Sequence, residues 1–343
     1  MTNQTWLTFL EQQGAHFSTE DPQCWAHFDA AGQDKALKLL PLTQYDLVEI
    51  IGSDAQKFLQ GQLTCDVGQL QPGSWQSGAA CTPQGRVYSN FELALTCDET
   101  PTYLMRLPRD GIDTLITQLS KYIVFYKSEL RHRSKQWAGF EIIGAGAVEA
   151  LSQALEADST ALFETPQIDK GIIRASTDDP ASLECWLALE LTQKIWPKLL
   201  QQSTLTDSQQ RALMAIRAGY VDIQPGSTEA YTPEVLNLTN RAVSFKKGCY
   251  TGQEIVARMH YKGTAKSGLV HLTFTQALKL PIGTVLNCKE SGQKLTILNL
   301  AANEEGKTEA LAIAPVALFE SEQLTLSNEN NSYAVRLMAF DKN

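Results

Sequence analysis

Strand-like and helix-like patterns of apolar residues alternate along the first two thirds of the chain. The apolar residues Leu47, Val48, Ile50 and Ile51 predict a strand that stops at Gly52. Ser53 or Asp54 then stands where a helix cap is expected, and the apolar stripe that follows includes Phe58. A turn at residues 83–85 separates two β-prone segments and predicts a hairpin.

Further helices and one buried strand follow from the same patterns. Apolar residues recur at helical spacing over residues 112–123 and again over 148–155. Residues 207–218 begin with an Asp-x-x-Gln pattern and are followed by Gly219, which predicts a capped helix. Residues 140–143 resemble a short buried strand. Helices and strands therefore interleave without strict βαβ repetition, and the predicted fold class is α+β.

The pattern changes after Lys266. Short apolar runs without helical period are separated there by turn residues: LVHLTF, TVLNC, KLTILNLA, EALAIAPV, QLTLS and YAVRLMAF. Several short strands at this spacing predict a small barrel or sandwich. The chain is therefore divided into a core over residues 1–264 and a β domain over residues 265–343.

Composition narrows the class of protein. The 343 residues carry a formal net charge of −9, which argues against general binding to polyanions. No run approaches the roughly 18 uncharged apolar residues of a membrane helix. The start, MTNQTWLTFL, lacks the basic and apolar regions of a targeting signal, so a cytoplasmic location is expected.

The cysteines do not form a recognisable framework. They are odd in number and far apart, so neither a disulfide pattern nor a Cys-x-x-Cys zinc motif is visible, and most are expected to be reduced and buried. The seven are Cys24, Cys65, Cys81, Cys97, Cys185, Cys249 and Cys288. Cys24 and His27 could form half of a metal site, but no second half follows them.

Cys249 is the cysteine whose neighbouring residues suggest a chemical role. It lies in the stretch FKKGCYTGQEIVARMHYKG. Residues 241–268 contain six basic residues and one acidic residue, a formal +5, which leaves −14 for the remainder of a chain of net −9. Gly248 and Gly252 would let the loop expose a thiol, and Lys246, Lys247 or Arg258 would favour its thiolate. A turn with a half-buried cysteine and solvated lysines is equally compatible with the spacing.

Three other residues have both a structural and a functional interpretation. His260 could act as a base, although one histidine on a basic helix is more often a surface residue. Arg217 could complement the C-terminal end of its helix or clamp a carboxylate with its fork of donors. Tyr45 could be a packing residue or a stacking platform.

The stretch KGCYTGQE resembles the signature of the YgfZ family of folate-binding proteins linked to tRNA modification, which are related to mitochondrial iron–sulfur assembly factors. Three further blocks occur in the same order as in that family: IIGSDAQKFLQGQLTCDV, CTPQGRVYSNFEL, and RAGYVDI followed by TPEVLNL. The resemblance implies a fold like the glycine cleavage T-protein. That fold has a folate-binding core of interleaved subdomains around a central cavity, followed by a C-terminal β-barrel.

The resemblance also implies site residues. Cys249 is the expected catalytic residue, and tetrahydrofolate or a derivative is the expected cofactor. The expected folate contacts are Tyr45, Arg211, Arg217 and Glu234, and the expected functional loop comprises Lys247, Gly248, Tyr250, Gly252, Gln253, Glu254 and Arg258. Tyr45 and Arg211 stand where relatives carry stacking tryptophans, and a guanidinium can also lie flat on a ring.

Tyr88 and Ser89 stand where T-proteins have paired aspartates, one of them catalytic. Without that carboxylate, glycine-cleavage aminomethyl transfer is not expected. The resemblance instead implies a folate-binding accessory protein that supports assembly or repair of iron–sulfur enzymes, and thereby tRNA modification. Its partners would be iron–sulfur client or assembly proteins, and a monomer is expected. Cys249 is expected to be exposed and to open into the folate cavity.

Two other functions remain open. A folate-dependent one-carbon transferase would need a general acid or base, for which the sequence offers Asp46, Asp66 and Glu234. Direct tRNA binding through the basic segment is the least favoured, because one basic patch on an acidic protein is usually a solvated or partner-binding face.

Overall fold

The computed structural model describes residues 4–18, 24–29, 35–96, 102–132, 137–158, 171–176, 181–263, 265–329 and 331–340. It contains two five-stranded sheets, a two-stranded sheet and a closed barrel, with helices interleaved among the strands of the core. This architecture confirms the predicted α+β class. Within the described residues, no helix has both the length and the apolar composition needed to cross a membrane.

The first five-stranded sheet has the order β5-β6-β7-β4-β8 and is antiparallel. Two helices cover it through a cluster that includes Phe58, Leu115 and Leu119. The strands are β4 (Tyr45–Ile51), β5 (Trp75–Cys81), β6 (Val87–Leu95), β7 (Tyr103–Pro108) and β8 (Glu129–His132), and the helices are α2 (Ala55–Gln62) and α3 (Ile112–Ile123). Short 3-10 turns lie at Val67–Gln69 and Arg109–Gly111.

The second five-stranded sheet has the order β10-β11-β9-β3-β12, in which β12 pairs with β3 in parallel. Its helices pack around the buried Phe140 and Trp196. The strands are β3 (Leu37–Pro41), β9 (Trp137–Ile143), β10 (Gly171–Ser176), β11 (Ser182–Ala188) and β12 (Ser203–Leu205). The helices are α1 (Gln4–Gln12), α4 (Ala147–Leu155) and α5 (Leu189–Gln202), and a small ribbon pairs β1 (Ala15–His16) with β2 (His27–Phe28).

A closed six-stranded barrel with the order β13-β16-β15-β14-β17-β18 follows. The strands are β13 (Ser267–Phe274), β14 (Val285–Cys288), β15 (Lys294–Ala302), β16 (Thr308–Pro315), β17 (Gln323–Ser327) and β18 (Ser332–Ala339), with a 3-10 turn at Val316–Leu318. Three helices, α6 (Gln209–Arg217), α7 (Thr239–Ala242) and α8 (Gln253–Lys262), precede it. One apolar cluster joins Leu213 and Val256 of these helices to Leu298 and Leu311 of the barrel.

Two predicted helix starts differ in detail from the structure. Asp54 occupies the cap position of α2, but its carboxylate accepts the Lys127 N–H at 2.9 Å rather than an amide of its own helix. The Asp207 carboxylate accepts the Phe28 N–H at 2.7 Å, and α6 begins two residues later, at Gln209. In both cases a distant segment of the chain takes the capping carboxylate.

Candidate functional site

A cavity of about 620 Å³ lies where β4, β6 and β7 of the first sheet face β3, β9 and β11 of the second. Its charged lining residues comprise five basic and five acidic side chains. The basic ones are Lys38, Arg106, Arg174, Arg211 and Arg217, and the acidic ones are Glu92, Glu141, Glu184, Asp222 and Glu304. The cavity wall is therefore highly charged but balanced in sign.

Ion pairs hold most of these charges. Arg106 Nε lies 3.1 Å from Glu184 Oε1, and Arg211 Nε lies 3.3 Å from Glu141 Oε2. Burial alone would raise the pKa of Glu184, but Arg106, with Arg174 and Arg211, holds it below its usual value. A buried charge needs such a partner, because leaving one ion unpaired is strongly destabilising.

Tyr45 and Asp222 form a second polar contact in the wall. The Tyr45 hydroxyl donates to Asp222 Oδ2 at 2.7 Å, while the Arg106 guanidinium carbon lies 4.3 Å from the centre of the Tyr45 ring. Burial raises the pKa of Asp222, although Arg106 and the Tyr45 hydroxyl act in the opposite direction. A carboxyl group of raised pKa inside a cavity is a candidate for proton transfer.

Some polar atoms in the wall lack a well-directed hydrogen bond. Arg106 Nε, Arg211 Nε and Glu141 Oε2 are buried and lie within ion-pair distance of their partners, but none has a hydrogen-bond partner among the described residues. Lys38 is exposed at the cavity and forms no ion pair with the described part of the chain. Lys38 can therefore donate to a polar ligand in the cavity, and Phe91 adds an aromatic face.

The structure brings together three of the four residues expected to contact folate. Tyr45, Arg211 and Arg217 line the cavity, whereas Glu234 does not. The Glu234 carboxylate accepts the Thr239 hydroxyl at 3.0 Å and lies 3.8 Å from His260 Nδ1.

The other two carboxylates considered for a transferase, Asp46 and Asp66, do not line the cavity. Asp46 lies 3.0 Å from His132 Nε2, and Asp66 accepts from Gln60 and the Gly68 N–H. Tyr88 and Ser89 are buried on β6, and neither is a lining residue.

Lys247 has a structural position that the sequence did not predict. Its ammonium donates to the backbone oxygens of Gln60, Leu63 and Cys65 at 2.7, 2.7 and 2.8 Å. These oxygens lie at the C-terminal end of α2, where helix carbonyls lack partners and the dipole favours a cation. Burial lowers the pKa of Lys247 to about 8. Lys247 is therefore a buried clamp between the cysteine loop and α2, and not a solvated cation.

Two glycines fit the cysteine loop against the β5–β6 turn. Gly252 has φ +86°, and a Cβ atom there would lie 2.5 Å from the Thr82 oxygen and 3.2 Å from Gly85 Cα. The Thr251 N–H donates to the Gly61 oxygen at 3.2 Å, which adds a contact to α2. The sequence blocks around Gly85 and Gly252 thus meet through direct backbone packing.

The remaining loop residues divide into buried and exposed groups. Tyr250 is buried, its ring centre 5.1 Å from Lys247 Nζ. Gln253 begins α8, and Gly248, Glu254 and Arg258 are exposed. Further along α8, the His260 ring stacks on Phe245 with centres 4.1 Å apart.

Cys249 is exposed, whereas Cys65, Cys81, Cys185 and Cys288 are buried. Cys97 lies outside the described residues. Cys249 does not line the 620 Å³ cavity, so the expectation that its thiol opens into that cavity is wrong. The physical reason is the Lys247 clamp, which holds the loop on the C-terminal end of α2.

Comparisons with known proteins identify relatives of this chain. It is 30% identical over 294 residues to the tRNA-modifying protein YgfZ of Aliivibrio fischeri, covering 83% of this chain and 87% of the relative. The YgfZ protein of Photorhabdus laumondii is 31% identical over 265 residues, covering 75% and 77%. This chain belongs to the YgfZ family. The family resemblance expected from the KGCYTGQE signature is thereby confirmed.

A solved structure matches the fold of this YgfZ family member. The glycine cleavage system aminomethyltransferase T of Bartonella henselae has a TM-score of 0.79 with 17% sequence identity, covering 98% of this chain and 96% of that one. This match confirms the T-protein-like architecture. No protein-family model matches the chain.

Sequence reasoning missed the buried ion pair between Arg106 and Glu184. Each residue is a single charge inside an apolar strand, in LMRLP and SLECWLA. Such a charge is rarely buried without a partner, so two such strands in one chain indicate a buried pair. Asp222 carried a similar signal, because it follows the apolar Val221 within the GYVDI block.

Proposed function

We propose that this protein acts in tRNA modification as a folate-binding accessory protein for iron–sulfur enzymes. The thiol of Cys249 is the reacting group. Membership of the YgfZ family, whose curated relatives are named tRNA-modifying proteins, is the observation that carries this proposal. The exposed thiol on a loop clamped by Lys247 supports it, because an accessible sulfur in a fixed position can react with a partner.

The cavity supports the folate part of the proposal. Its volume of about 620 Å³ is within the usual range of roughly 300–1,000 Å³ for small-molecule sites. Tyr45 and Phe91 offer aromatic surface, and Lys38 offers a cation for a carboxylate. Arg106 and Arg211 also place guanidinium groups in the cavity wall, and a pterin carbonyl or ring nitrogen is an acceptor for such donors. These residues fit a reduced folate, which would supply a one-carbon unit when bound.

The two sites have separate roles in this proposal. Because Cys249 lies outside the cavity wall, its reaction partner arrives from solvent and not through the folate cavity. An iron–sulfur client protein would then dock against the cysteine loop, and its cluster would be cargo and not a resident cofactor. A thiolate is a good ligand for iron and also a nucleophile.

Replacement of Cys249 tests the proposal. In a bacterial strain that lacks its own copy of this gene, Cys249→Ala should fail to restore thiolated nucleosides in tRNA, measured by mass spectrometry. The purified variant should keep its unfolding midpoint and its affinity for 5-formyltetrahydrofolate. Cys24→Ala, at the half-buried Cys24, is the control and should restore modification. Full restoration by Cys249→Ala would contradict the proposal.

Asp222 favours a second candidate function, a folate-dependent one-carbon transferase. Its carboxyl group lies in the cavity wall with a raised pKa, which suits a general acid or base. In this case purified protein should turn over methylene- or formyl-tetrahydrofolate. Asp222→Asn should slow that turnover by about 100-fold or more with little change in affinity. Absence of turnover by the wild type would eliminate this candidate.

A further inference from the structure

Arg217 binds two carboxylates through two different edges of its guanidinium. Its Nε and Nη2 donate to Glu309 Oε2 and Oε1 at 3.1 and 2.8 Å. Its Nη1 and Nη2 donate to Glu304 Oε1 and Oε2 at 3.0 and 2.8 Å. Both edges therefore make the paired, planar contact that arginine forms with carboxylates.

The two carboxylates have different surroundings. Glu309 is on β16 with only 6% of its side chain exposed, and it also contacts His271 Nε2 at 2.9 Å and Asn303 Nδ2 at 3.2 Å. Glu304 is in the β15–β16 turn with 57% of its side chain exposed. Glu309 is thus a fixed part of the structure, whereas Glu304 could rotate into solvent.

The backbone of the turn would not need to move with Glu304. The Asn303 side chain accepts the Glu305 and Lys307 N–H groups at 3.0 and 2.9 Å, and the Asn303 N–H donates to the Lys307 oxygen at 2.7 Å. Release of Glu304 from Arg217 therefore requires side-chain rotation and loss of the Glu304 contact with the Gln210 side chain, and no change in the backbone of the turn.

Arg217 and Glu304 both line the cavity, and Glu304 is the single barrel residue among the lining residues of the described chain. Arg217 is one of the folate contacts that the family resemblance implies. We propose, resting on the proposed folate function, that Glu304 occupies the outer edge of Arg217 in the free protein and must leave it before a carboxylate of the cavity's ligand can bind there. The glutamate portion of a folate carries such carboxylates. Ligand binding then exchanges one carboxylate for another on Arg217, so Glu304 competes with the ligand.

Removal of the competitor should strengthen binding of a ligand that has the carboxylate. In calorimetric titrations, Glu304→Gln and Glu304→Ala should bind 5-formyltetrahydrofolate about threefold to fivefold more tightly than wild type, as expected for loss of a solvent-exposed ion pair. Both should bind 6-methyltetrahydropterin, which has no glutamate portion, with wild-type affinity. Glu305→Gln is the matched control, because Glu305 is in the same turn and pairs only with Lys307 among the described residues.

The possible results separate this inference from the proposed function. Equal affinity for 5-formyltetrahydrofolate in wild type, Glu304→Gln and Glu305→Gln would overturn the carboxylate site while leaving folate binding intact. Weaker binding by Glu304→Gln would also overturn it, because Glu304 would then contact the ligand. If Lys38→Met loses affinity while both Glu304 variants match wild type, the carboxylate binds at Lys38 instead. No binding of either compound to any variant would overturn the folate function and this site together.

Discussion

At the scale of single residues, Lys247 shows that tertiary contacts can give a charged side chain a role that its neighbours in sequence do not predict. The sequence suggested a cation beside the Cys249 thiol, but the structure directs the ammonium to three backbone oxygens of α2 and its C-terminal extension. The partner oxygens are more than 180 residues away in sequence. Side-chain type alone could not predict this contact, because carbonyl direction depends on where α2 packs.

Loss of the Lys247 ammonium should destabilise the fold. Lys247→Met leaves three backbone oxygens without their donor and should lower the free energy of unfolding by about 2–4 kcal/mol, measured by urea denaturation. Lys247→Arg should restore little, because a planar guanidinium cannot converge on three oxygens as an ammonium does. Lys246→Met is the matched control, since Lys246 is exposed, and should change stability by less than about 0.5 kcal/mol. Equal effects at both positions would contradict the clamp.

At the scale of elements, the periodic patterns predicted the helices well and their ends less well. The helix expected over residues 112–123 is α3 (Ile112–Ile123), and the one expected over 148–155 is α4 (Ala147–Leu155). The Asp-x-x-Gln start at Asp207 was wrong because β2, far away in sequence, takes that carboxylate. The apolar stripe that marks a buried helix face is a local sequence pattern. A capping side chain, in contrast, can bind hydrogen-bond donors from other elements in place of its own helix.

The junction between the β5–β6 turn and α8 should depend on Gly252. Gly252→Ala forces a Cβ to 2.5 Å from the Thr82 oxygen at a positive φ, so we expect a loss of about 2–4 kcal/mol in unfolding free energy. Gly248→Ala provides the comparison, because no atom lies within 4 Å of a Cβ there. Chemical denaturation of both variants measures the difference. A tolerated Gly252→Ala would mean that the two segments are not tightly packed.

At the scale of the whole molecule, the core and the barrel share one apolar cluster. Leu213, Ile216 and Val256 pack in it with Leu269, Leu298 and Leu311. The sequence predicted a boundary between residues 264 and 265, and β13 begins at Ser267. The sequence did not indicate this shared cluster, because each apolar run is equally compatible with a barrel that packs independently of the core.

We therefore expect the two parts to unfold together. All six tryptophans lie between residues 6 and 196, so tryptophan fluorescence reports on the core alone. Circular dichroism also reports on the barrel strands. The two urea transitions should coincide, and Leu298→Ala in the barrel should shift both by about the same amount, equivalent to about 2–4 kcal/mol. A fluorescence transition unaffected by Leu298→Ala would show that the core folds independently.

The candidate site could be predicted where its residues belong to contiguous sequence motifs. KGCYTGQE identified the exposed Cys249, and the family resemblance implied the folate contacts Tyr45 and Arg217, which line the cavity. The separation of the thiol from the cavity was not predictable, since it depends on the contacts of Lys247 with backbone oxygens more than 180 residues away in sequence. The partners of Arg217 were equally hidden, because both carboxylates belong to the barrel.

The balance of charge in the cavity has a kinetic consequence. Five basic and five acidic lining side chains largely cancel at a distance, so long-range attraction should contribute little to the association rate of a cavity ligand. The segment around Cys249 instead carries a concentrated positive charge on a negative molecule. Encounters with an acidic partner at the thiol should therefore slow as ionic strength rises, while entry into the cavity proceeds at nearly the same rate.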